Sequence, residues 1–108
     1  MNDIHAINSA RLYYPSKPVR DPAYRRFIRQ LPCAACGKSR YVDAAHTGPH
    51  GFGQKSSDLN CIPLCAKSCH PNFDSHPRLF AERTKMDVPA LIAKLNQFWF
   101  EKLNGGAA

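Results

Sequence analysis

Residues 60 to 76 read NCIPLCAKSCHPNFDSH, a short run holding three cysteines, two histidines, an Asp and two Asn. Upstream, LPCAACGKSRYVDAAH adds a Cys-x-x-Cys turn and a further histidine, His46. The spacing of Cys33 and Cys36, with Gly37 behind them, lets two thiolates approach one ion from a tight turn. Alone, that pair suits zinc or a redox dithiol equally. Cys65 and Cys69 supply a second pair, and the four together make the ligand set of a tetrahedral zinc site fed from two turns distant in sequence. A closed four-thiolate site is structural, because it keeps no position open for substrate. The fifth cysteine, Cys61, lies in the apolar NCIPLC stretch and reads as a small buried hydrophobe rather than a ligand in place of Cys65 or Cys69.

His70 and Asp74 are four residues apart, so one helical turn places both on one face, where they can ligate a single ion. Pro71 suits the first position of that helix, and Pro77 is expected to end it. His76 is offset from the His70–Asp74 face and is a further candidate ligand or a nearby substrate contact.

These groups need elements to hold them. Asp21 caps and Pro22 opens a short helix in which Tyr24, Phe27, Ile28 and Leu31 share one face. Arg25, Arg26 and Arg29 then point to solvent, as a hydrated face or as phosphate contacts. Residues 40 to 46 read as a short strand, with Tyr41 and Val42 favouring extended backbone. TGPHGFGQKSSD, with three of the six glycines, must be a loop. Asp87 caps a final helix, with Pro89 in its first turn and Leu91, Ile92, Leu95, Phe98, Trp99 and Leu103 recurring at helical spacing as a core face. Residues 1–20 look irregular, and 105–108 form a flexible tail.

The chain has 108 residues, with 15 Lys+Arg against 8 Asp+Glu and a formal charge of +7. A domain of this size buries a modest share of its surface and gains from a metal staple. The charge attracts polyanions, of which nucleic acid, DNA or RNA, is the commonest. No segment resembles a signal peptide or approaches the roughly 20 apolar residues needed to span a bilayer, so a cytoplasmic protein without membrane association is expected. Five cysteines, an odd number, fit poorly with a fully paired disulfide framework.

In order, Cys-x-x-Cys, DAAH, a Gly-rich loop ending in KSSD, and NCIPLCAKSCH with a helix behind it resemble the HNH endonucleases of the ββα-metal class. The likeness is nearest to small phage and prophage HNH proteins, and it runs from about Cys33 to Asp87. It implies that His46 is the general base activating water for attack on phosphorus, and that Asn60 steadies the strand and loop presenting it. It also implies that His70 and Asp74 hold one divalent cation, Mg²⁺ or Mn²⁺. Asp58 fits a role orienting His46 or pinning the loop, and Lys55 fits a phosphate contact. The chain departs from the family at Ala45, where many relatives carry a ligand directly before the base. Waters, phosphate oxygen, His76, Asp43 or Asp58 would then complete the coordination.

The fold expected is α+β: a ββα-metal core with a structural zinc site, flanked by N- and C-terminal helices, as one domain over residues 21–104 with its core at 33–87. The activity implied is metal-dependent hydrolysis of DNA phosphodiester bonds with little sequence readout. The alternatives are a zinc-stapled nucleic-acid-binding module without cleavage and, behind it, a protein-interaction module. Substrate form, oligomeric state and any recombination or phage-DNA-processing partner are left open by the sequence.

Overall fold

The computed structural model describes residues 19–48 and 56–105. Most of the N-terminal segment expected to be irregular, the loop residues through Lys55, and the tail beyond Gly105 lie outside the described residues.

Helix α1 spans Pro22–Arg29. Asp21 caps it by accepting from the Tyr24 amide, and Pro22 fills the first turn where its missing N–H costs nothing. Tyr24 and Ile28 are fully buried and Phe27 and Leu31 pack beside them, as the periodicity requires. Strand β1, Val42–Ala45, pairs antiparallel with β2, Ile62–Cys65, in the register Val42↔Cys65 to Ala45↔Ile62. A two-stranded sheet has only edge strands, so Pro63 is tolerated within β2; its carbonyl accepts from the Ala34 amide and ties the Cys33–Cys36 turn to the sheet.

The first strand is shorter than the sequence suggests. Tyr41 adopts φ 54, a left-handed conformation, so extended backbone starts at Val42 instead of Arg40. A 3₁₀ turn at Asp58–Asn60 precedes β2, capped by the Ser57 hydroxyl. Helix α2, Cys69–Ser75, follows β2 and starts two residues ahead of Pro71. Pro77 both ends α2 and opens a second helix, α3, at Pro77–Thr84, with His76 as the link between them. That outcome follows from proline's dual character: it disfavours helix in the residue before it and suits the first turn of the next.

Helix α4, Val88–Leu103, is capped by Asp87 through the Ala90 amide, and Gly105 follows it with φ 82. Its inner face is Leu95, Asn96 and Trp99, with Leu91 and Ile92 partly buried. Phe98 and Leu103, assigned to the core from their spacing, are 54% and 60% exposed. The helix lies on a small body and buries only a narrow stripe. Trp99 meets Tyr24 edge-on at 5.6 Å and Phe27 at 5.1 Å, locking α4 to α1. Asn96 donates to the Tyr24 hydroxyl at 2.8 Å and to the Leu59 carbonyl at 3.0 Å, a buried polar tie among α1, α4 and the 3₁₀ turn. The described elements thus form an α+β fold of four helices and one two-stranded antiparallel sheet. Among the described residues, no helix is long and apolar enough to cross a membrane.

Candidate functional site

Two turns bring four thiols together. The Sγ atoms of Cys33, Cys36, Cys65 and Cys69 all lie within 4.8 Å of one another. The first turn closes through Gly37, whose amide donates to the Cys33 carbonyl and whose φ of 81 suits glycine. The second runs from the end of β2 into α2. In each turn a backbone amide points at the sulfur ahead of it: Cys36 N lies 3.4 Å from Cys33 Sγ, and Cys69 N lies 3.3 Å from Cys65 Sγ. Burial opposes ionisation of Cys33, but the amides of Cys36, Cys65 and Ala35 outweigh it and lower its thiol to about 6. Amide donation likewise lowers Cys65, whereas burial and the neighbouring sulfurs push Cys69 up. Two sulfurs favour thiolate while a third is held protonated, the balance expected of crowded thiols that a metal cation would discharge together. The four can hold a metal such as zinc. Cys61 is not among them; it is fully buried beside His46 and Asp58.

On the other side of β1 lies a cleft of about 670 Å³ bounded by α1, β1 and α2. His46, just past β1, and His70 and Asp74, on α2, all line it, with Arg25 and Arg29 from α1. Asp58 stands behind His46. The carboxylate is 1% exposed and accepts on both oxygens: His46 Nε2 at 2.7 Å and Arg20 Nη1 at 3.2 Å on Oδ1, the Asp21 amide at 2.7 Å on Oδ2. Arg25 Nε adds an ion pair at 3.2 Å to Oδ2. Burial alone would raise this carboxyl, but the His46 hydrogen bond, the Asp21 amide and the Arg25 charge hold it below the usual carboxylate range. An anionic Asp58 can only accept, so His46 carries a proton on Nε2 and donates it to the carboxylate.

Asp43 projects from β1 and Asp74 from one turn along α2, reaching opposite edges of the His70 ring. Asp43 Oδ2 is 2.7 Å from His70 Nδ1, and Asp74 Oδ2 is 3.3 Å from Nε2. A carboxylate oxygen therefore stands at each ring nitrogen of His70, and at Nε2 a cation shared between ring and carboxylate, a proton or a metal ion, makes the approach favourable. Asp43, named in the sequence as a stand-in ligand, instead lies against His70 Nδ1, on the edge of the ring away from Asp74.

Residues 14–98 match the sequence model of a family described as Protein of unknown function (DUF968). The chain belongs to the DUF968 family. No curated protein and no solved structure matches this DUF968 chain.

The residues singled out in the DUF968 sequence separate into distinct groups. His46, Asp58, His70, Asp74, Arg25 and Arg29 converge on or behind the one cleft. Asn60 supports from below: it is buried, and its carbonyl accepts the Thr47 hydroxyl at 2.7 Å, tying the segment after β1 to the 3₁₀ turn. The Ser56 hydroxyl donates to the Thr47 carbonyl and closes the same loop. His76 is exposed and lines a separate depression with Asn72, Leu79 and Arg83, so it does not join His70 and Asp74. Arg26 is exposed and outside the cleft lining. Arg25 departs from the solvent-facing role expected of it, since its guanidinium pairs with Asp58. Lys55 lies outside the described residues. Arg20 gave no signal beyond its charge; its pairing with Asp58 depends on the chain returning 38 residues later.

Proposed function

We propose that this protein is a metal-dependent endonuclease of the ββα-metal (HNH) kind, hydrolysing DNA phosphodiester bonds with little sequence readout. The observation that carries the reading is the meeting, in one cleft, of a carboxylate-backed histidine with a His–Asp pair spaced for one cation. The element order β1, β2, α2 supports it, as does the four-thiol cluster, read here as the structural zinc that joins the β2–α2 corner to the first turn.

In this mechanism Asp58 keeps His46 in the Nε2–H form, and Nδ1 accepts a proton from water as the water oxygen attacks phosphorus. The P–O bond to the leaving oxygen breaks opposite the incoming one, and the leaving alkoxide takes a proton from solvent. His70 Nε2 and Asp74 would hold a divalent cation, which when bound would neutralise charge on the phosphate. Arg29, exposed at the cleft wall, meets the phosphate backbone, while Arg25 both pairs with Asp58 and faces the cleft.

The second reading, a zinc-stapled nucleic-acid-binding module without cleavage, is favoured by one feature. Ala45, at the position that carries a ligand in many HNH enzymes, is fully buried in the core and offers no donor. Plasmid nicking by zinc-loaded protein, with Mg²⁺ or Mn²⁺ added, decides between the two. His46→Ala should lower the rate by at least 10²-fold, the usual worth of a general base, while leaving fold and zinc intact. Equal cleavage by the variant would defeat the nuclease assignment of His46, and binding without cleavage by the parent would favour the module.

A further inference from the structure

The far end of β1 carries a second set of groups that the cleft does not use. Lys38, Ser39, Arg40, Tyr41, Cys65 and Lys67 surround a depression of about 400 Å³, lined by three cations and no carboxylate. Tyr41 is 67% exposed, although its backbone is left-handed, a conformation that penalises side chains with a Cβ. Its carbonyl is held by the Ala66 amide at 2.7 Å, and the Lys67 ammonium sits over the ring, 4.9 Å from its centroid. The strain is not offset by burying the ring, which stays largely in water. A displayed aromatic ring with cations around it is the composition that stacks a base and pairs its flanking phosphates.

We propose that Tyr41, with Lys38, Arg40 and Lys67, binds a nucleic-acid strand away from the cleft, by stacking on one base and contacting neighbouring phosphates. The proposal rests on the nucleic-acid reading given above. Five residues of near-extended chain separate Tyr41 from His46, roughly 16 Å, about the axial length of five base pairs. One bound strand could therefore touch both places, and the patch would position substrate rather than act on it.

The test is fluorescence anisotropy with a labelled 20-nucleotide single strand and the matching duplex, using the zinc-loaded 108-residue chain in the His46→Ala background so that nothing is cut. Tyr41→Asn removes the ring while suiting the left-handed backbone, so its fold should be retained. It should weaken single-strand binding by roughly tenfold or more. Combined Lys38→Gln, Arg40→Gln and Lys67→Gln should flatten the dependence of log affinity on log salt by about 2, at about 0.7 for each phosphate left without its cation. Unchanged affinity and salt slope in both variants, with weakening by Arg29→Gln, would overturn the patch and leave the nucleic-acid reading standing. Loss of zinc from the triple variant would also overturn it, by assigning the cations to the thiolate cluster. Failure of the parent protein to bind either probe would overturn both readings.

Discussion

Asp58→Asn is the substitution that most severely tests the site. It keeps the shape of the side chain and removes its charge. In the native protein both carboxylate oxygens face donors, His46 Nε2 and Arg20 Nη1 on one and the Asp21 amide on the other, with Arg25 Nε in ion-pair contact. Either orientation of the new amide therefore sets its NH₂ against a donor. The less costly arrangement turns the NH₂ toward His46, which can answer by moving its proton from Nε2 to Nδ1. That tautomer occupies the nitrogen proposed as the base. Removing one partner of a buried charge cluster costs about 3–5 kcal/mol, and Arg20 and Arg25 are exposed enough for solvent to compensate them in part, so the low end, about 3 kcal/mol, applies. For a domain of this size that lowers the melting temperature by roughly 15 °C. Cleavage should fall by 10²-fold or more at temperatures where the variant is still folded. Circular dichroism melts and plasmid nicking at low temperature measure the two effects. Melting within 2 °C of the parent, or an undiminished rate in the folded variant, would refute the reasoning. The sign with pH follows from the depressed carboxyl: its stabilisation is complete above the unfolded value of about 3.9 and is lost as pH falls below that toward the folded value.

Other perturbations separate the remaining parts. Cys36→Ser should lose bound zinc and melt well below the parent, whereas Cys61→Ser should keep one zinc per chain by elemental analysis; zinc loss from the Cys61 variant would mean the ligand set is wrong. Asp43→Asn should weaken Mn²⁺ binding, read by electron paramagnetic resonance, by about 10- to 100-fold while the thiolate site stays loaded, as removal of an orienting carboxylate does elsewhere. Asn96→Leu leaves the Tyr24 hydroxyl and Leu59 carbonyl without their buried donor and should cost about 1–3 kcal/mol in chemical denaturation; an unchanged midpoint would show that the tie contributes nothing.

What the sequence determined by itself was chiefly local. Caps and prolines marked the starts of α1 and α4, because a cap is a contact between residues three apart. The two cysteine pairs were legible for the same reason, each being one turn, and the His70–Asp74 spacing needed only the helical repeat. Local signals misled where a single residue could serve two ways: Pro77 both stopped one helix and started another, and Tyr41 traded extended backbone for a left-handed one at the edge of β1. Tertiary structure decided the rest. Periodicity could not say how wide a stripe α4 would bury, since that depends on the size of the body beneath it, and so Phe98 remained in water while Asn96 went inside. Nor could spacing assign Asp43 to His70, Arg20 and Arg25 to Asp58, or keep His76 out of the cleft. Those pairings join segments up to 38 residues apart: the packing of α1 on the 3₁₀ turn brings Arg20 and Arg25 to the buried Asp58, and the return of the chain from β2 into α2 brings His70 back to Asp43 on β1.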